Sequence, residues 1–149
     1  MRLAKQRAAG QLWEPRVNYG YEMSSLMIAS FTLITLALLF YSLGVWSERI
    51  TRYLRAWHVV SFWTGFFFDV SGTIAMHRLA EGKFDILEPH TLTGQLALWL
   101  MLIHAIWATI AIRSGTEQTR RDFHRYSLLV WALWLIPYFG GMYLGMSGP

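Results

Sequence analysis

The chain has 149 residues, of which 54% are hydrophobic and only 15% charged, with a net charge of +4 and no cysteine. Soluble domains carry about 25% charged residues, and here three runs, Leu26–Trp46, Thr91–Ile112 and Tyr126–Ser147, hold no charge and are each long enough to cross a membrane, so a soluble globular enzyme is excluded. A disulfide scaffold, a zinc ribbon and a c-type haem attachment site fall with the missing cysteines. The small net charge, spread over loops, speaks against nucleic acid as a partner, and no Walker, Rossmann or zinc-protease motif is present.

The first charge-free run is Leu26–Trp46, long enough to cross a hydrocarbon core that needs about 20 apolar residues. It lacks the flanks of a cleavable signal and reads as a retained span. Residues 1–25 before it read as a polar tail with, at most, a short interfacial helix. A polar connection, Ser47–Arg55, holds Arg49, Arg52 and Arg55. The second span is Ala56–His77, with Asp69 as its only charge, and the loop Arg78–Pro89 follows with the breakers Gly82 and Pro89. The third span is Thr91–Ile112. The connection Arg113–Arg125 turns at Ser114-Gly115. The fourth span is Tyr126–Met146, where Pro137 should kink the helix.

Short connections make antiparallel neighbours. The fold expected is therefore all-α, an integral membrane four-helix up-down bundle forming a single domain over residues 26–149. Arginine concentrates in the connections 47–55 and 113–125, which share one membrane face, side A. The positive-inside rule puts that face in the cytoplasm and makes the chain a multi-pass protein of the bacterial cytoplasmic membrane.

Polar groups at depth are costly and need a reason, and five histidines are present: His58, His77, His90, His104 and His124. His104 and His124 lie about equally far from the Ser114-Gly115 turn. His58 sits at a similar distance from the first side-A connection. Three imidazoles from three helices thus fall in one layer. On the third span His90 and His104 share a face with Gly94, Ala97 and Ala108, separated by about 21 Å. The second span puts Gly65, Asp69 and Gly72 on the face of His58. Small residues beside a ligand leave room for a porphyrin.

Zinc prefers four ligands, and Asp69 lies about 16 Å along the helix from His58, too deep to share an ion with it. Haem needs one or two axial ligands, an apolar slot and cations for its propionates. The pattern therefore points to b-type haem with iron ligands drawn from His58, His124 and His104. His58 and His124 are the favoured pair because their helices are diagonal. Arg52, Arg55, Arg121 and Arg125 would meet the propionates, and Phe62, Phe66, Trp107 and Trp131 would wall the slot. His90 is the candidate for a second haem. A quinone-linked dihaem cytochrome b subunit and a cofactor-free accessory subunit of a larger membrane or redox complex are the alternatives. Each lone histidine has an ordinary reading as a helix-to-helix hydrogen bond. Asp69 reads as a buried group that fixes packing, with Thr73, Gln95 or His90 as partner, and a proton-relay or quinone contact is the alternative.

The strings GVWSERI (44–50), AWHVVSFWTGFFFDVSGT (56–73), HTLTGQLALWLMLIHAIWA (90–108) and FHRYSLLVWALWLIPYFGGM (123–142) resemble the HsmA-like family of small bacterial membrane proteins. The likeness covers about residues 35–146. It implies four helices and, as the haem-sensing name of the family indicates, haem binding that limits haem toxicity. His58, His90, His104, His124 and Asp69 fall inside the matching strings. His77 and residues 1–25 fall outside them.

Overall fold

The structure, a computed structural model, describes residues 2–79 and 89–147, with side chains described over 21–79 and 89–144. It holds four helices: α1 (Arg2–Thr51), α2 (Ala56–Leu79), α3 (Pro89–Ser114) and α4 (Glu117–Ser147). Each contains a segment long and apolar enough to cross a membrane: Tyr21–Thr51, Ala56–Leu79, Pro89–Ser114 and Glu117–Leu144. α1 packs against α2 and α4, and α3 against the same two, so α1 and α3 form one diagonal and α2 and α4 the other. This is the all-α up-down bundle that the charge-free runs imply.

The helices outrun the apolar runs. α1 continues from Trp46 to Thr51, and α4 begins at Glu117, nine residues or about 14 Å before Tyr126. The stretch 1–25, expected as a polar tail, is helical from Arg2 and continuous with the crossing segment. The reason is that charge ends an apolar run without ending a helix, and Lys, Arg, Gln and Ala are good helix formers. Most of the loop expected at Arg78–Pro89 lies outside the described residues. Pro137 sits inside α4 without terminating it.

Local chemistry accounts for the ends. Arg52 takes a positive φ of 49° just after α1, the left-handed residue that closes many helices. Pro89 opens α3, where a missing N–H costs nothing. Thr116 caps α4, its Oγ1 accepting from the Thr119 N–H at 3.1 Å. The two side-A turns are joined where the Leu54 N–H donates to the Arg120 carbonyl at 3.1 Å. Arg120 then reaches back, donating to the Tyr53 hydroxyl at 3.1 Å and the Ile112 carbonyl at 3.3 Å.

α1 and α2 fit by rings set into glycine notches. A Cβ on Gly44 would stand 2.5 Å from the Phe62 ring, one on Gly65 2.6 Å from Tyr41, and one on Gly72 2.7 Å from Ile34. The space beside Gly65 and Gly72, expected to admit a porphyrin, is therefore filled by side chains of α1. Ala97, Ala105 and Ala108 on α3 are likewise packed into the core.

Candidate functional site

Two polar layers lie inside the bundle. The deeper one centres on Asp69 of α2, 5% exposed. Its Oδ2 accepts from Trp134 Nε1 at 2.8 Å and from the Tyr41 hydroxyl at 3.2 Å, and the Tyr41 and Trp134 rings meet edge to face with centroids 5.1 Å apart. Asp69 thus has the packing role expected of it, but its partners are Tyr41 and Trp134 rather than Gln95, His90 or the Thr73 side chain. Thr73 instead donates to the Asp69 backbone carbonyl. The tie to Trp134 crosses the α2–α4 diagonal, which no pairing of sequence neighbours suggests.

The second layer lies near side A. Every helix contributes one buried polar side chain to it: Glu48 from α1, His58 from α2, His104 from α3 and Ser127 from α4. Phe62 and Phe123 fill the space among them, their ring centroids 4.8 and 5.0 Å from that of His104. Glu48 is the member that the sequence reading missed, because a charge just past an apolar run reads as loop. Its signal was present: Ala37, Tyr41, Val45 and Glu48 recur at i, i+4, i+8 and i+11, one helical face, and all four are fully buried.

His58 occupies the third position of α2, and its Nδ1 accepts from the Arg55 N–H at 3.0 Å, while the His58 N–H donates to the Arg55 carbonyl at 3.1 Å. This is the part that Glu or Gln plays in a capping box. It has a consequence for ligation. Because Nδ1 accepts, a neutral ring carries its proton on Nε2, and that atom is buried with no hydrogen-bond partner. An iron ligand needs the reverse, a bare ring nitrogen with the proton on the other one.

His104 is 2% exposed. Its Nε2 lies 3.3 Å from the Ser127 hydroxyl, and its Nδ1 is buried without a partner. With Phe62, Phe123 and Trp107 around it, the ring is walled into the core.

His124 is half-buried and has the polarity that His58 lacks. Its Nδ1 lies 2.5 Å from the Arg121 carbonyl oxygen. A carbonyl only accepts, so Nδ1 holds the proton and Nε2 keeps its lone pair. His124 shares a helical face with Trp131, seven residues on, and Trp131 packs against Trp46 and donates to the Ser42 hydroxyl of α1. His124 therefore lies on the α4 face that carries Trp131 toward α1.

The remaining candidates are spread out. Arg52 and Arg55 are exposed. Arg121 pairs with Glu117 at 3.4 Å and Arg125 with Asp122 at 3.8 Å, both on their own helix and in solvent, where such pairs hold weakly. Phe62 plugs the core instead of walling a slot. His90 lies at the far end of α3 against Gly141, where a Cβ would stand 2.8 Å from its ring. His77 is exposed in the last turn of α2. Among the described residues no three histidine or carboxylate side chains converge to hold a single ion.

In comparisons with known proteins, no family model, no curated protein and no solved structure matches the chain.

Proposed function

We propose that the chain is a multi-pass bacterial membrane protein that binds b-type haem at side A, with His124 as its axial ligand. Haem capture or sensing is the task that the likeness to the HsmA-like family implies. The observation that carries this reading is the 2.5 Å contact between His124 Nδ1 and the Arg121 carbonyl, which leaves a bare Nε2 at a half-buried position. The same backbone hydrogen bond orients metal-ligating histidines generally.

What the residues supply fits the group in part. Arg121 and Arg125 flank His124, and their exposed ion pairs are weak enough to exchange for propionates. Trp131 and Trp46 provide the aromatic wall of the α1–α4 seam. A bound haem would bring iron able to take a fifth ligand and to change oxidation state. His58 does not fit as the second ligand, because ligation would break the cap at the start of α2. His104 fits poorly, being closed in by rings. The ligation supported is a single histidine.

Purified protein in detergent should show a Soret band of a high-spin, five-coordinate haem. His124→Ala should lose most of the bound haem, and His58→Gln should keep it. Haem retained unchanged in His124→Ala overturns the ligand assignment. Apoprotein that takes up no haem on titration overturns the function and favours an accessory subunit without a cofactor.

A further inference from the structure

The side-A layer holds polar groups that neither the packing nor haem ligation uses. Glu48 is 0% exposed, and neither carboxyl oxygen meets a hydrogen-bond partner. His104 Nδ1 and His58 Nε2 are equally enclosed and unpartnered. Leaving buried polar groups unpaired is costly, so three such side chains are not incidental to a bundle otherwise closed by Tyr41, Phe62 and Phe123. Ser127 stands between two of them. Its hydroxyl lies 3.3 Å from His104 Nε2 and near enough to the Glu48 carboxyl to interact with it, though no hydrogen bond is formed between them. A hydroxyl donates and accepts at once, the property a proton relay needs at its middle position.

We propose that Glu48, Ser127 and His104 form a proton-transfer line inside the bundle, opening toward side A. In the transfer the Glu48 carboxyl O–H bond breaks as an O–H bond forms on Ser127 Oγ. The hydroxyl's own O–H bond breaks as an N–H bond forms on His104 Nε2. A carboxylate and an imidazolium result, and the reverse transfer restores the neutral pair. Charge and atoms balance without a co-reactant. The unpartnered Glu48 oxygens leave the carboxyl free to turn between Ser127 and the side-A turn. That turn is close, since Glu48 lies three residues, about 4.5 Å along the axis, from the end of α1.

The charged and titratable groups around the line are few. Arg49 neighbours Glu48 on α1, and Arg55 precedes α2 beside His58. On α4 the Arg120 guanidinium donates through its two terminal nitrogens to Tyr53 and the Ile112 carbonyl, and its Nε–H is buried without a partner. His58, with its proton on Nε2 and no acceptor there, is held by Arg55 at the start of α2. Asp69 belongs to the deeper layer and is occupied by Tyr41 and Trp134.

The test is infrared spectroscopy of the full chain, without haem, in lipid nanodiscs. A carboxylic-acid C=O stretch should be present, shift in D2O, disappear in Glu48→Gln and persist in Asp69→Asn. Ser127→Ala removes the hydroxyl that would accept the Glu48 O–H and should keep the band but shift it to higher wavenumber. Identical carboxyl-region spectra of the wild type and Glu48→Gln would overturn the proposal. So would an unshifted band in Ser127→Ala, which carries the test alone if Glu48→Gln does not fold. Neither measurement involves haem, so the line stands or falls separately from the ligation by His124.

Discussion

At the scale of single residues, hydrogen-bond polarity separates histidines that look equivalent in the sequence. His58 caps a helix through Nδ1, and His124 is oriented by a carbonyl through the same atom, so their remaining nitrogens have opposite character. His58→Ala should cost about 1 kcal/mol of stability, the usual worth of a cap. His58→Gln should recover most of it, because Gln suits the third position of a capping box. Thermal unfolding in detergent distinguishes the two variants, and equal losses in both would deny the capping role. Asp69 gives a second contrast. Asp69→Ala strands the Tyr41 hydroxyl and the Trp134 indole N–H in the core and should cost about 2 kcal/mol. Asp69→Asn keeps an acceptor for them and should cost less than half of that, measured by the same unfolding assay.

At the scale of helices, the α1–α2 contact is interlocked at three glycines. Gly65→Leu would drive a side chain into the Tyr41 ring, only 2.6 Å from the first added carbon, and should destabilise by about 1–3 kcal/mol. It should also pull the Tyr41 hydroxyl from Asp69. Combining it with Tyr41→Ala should then restore part of the loss, whereas purely additive losses would show that the notch is not what the substitution disturbs. The helices themselves were legible because runs such as Leu26–Trp46 and Thr91–Ile112 carry no charge. Their ends were not. Glu48 and Arg49, and Glu117 through Arg125, look like connections, yet they continue helices that project past the apolar band. Glu48 was lost from the candidate site for that reason. The diagonal pairing of Asp69 with Trp134 was hidden because indole donors look like interfacial anchors in a sequence.

For the whole molecule, the bundle was legible from spans and short turns, but the filling of its centre was not. Gly65 and Gly72 mark close approach in either reading, and the groups that approach are Tyr41 and Ile34 of the same chain. The distribution of arginine makes a claim about orientation. Side A, with Arg49, Arg52, Arg55, Arg120, Arg121 and Arg125, should face the cytoplasm. A cysteine introduced by Ser114→Cys should then resist an impermeant thiol reagent in intact cells and react once the cells are opened. Ready labelling in intact cells would reverse the orientation.

The notches between α1 and α2 restrict how the molecule can move. Phe62 seats at Gly44, Tyr41 at Gly65 and Ile34 at Gly72, three teeth spaced along one seam. Sliding α1 past α2 by one turn, about 5.4 Å, would press all three against positions with side chains of their own. A piston stroke between these helices is blocked. Among the described residues, what ties the backbone of this keyed hairpin to the start of α4 is a single hydrogen bond, Leu54 N–H to the Arg120 carbonyl at side A, so three interlocked side chains hold one seam where one backbone bond joins the two hairpin turns.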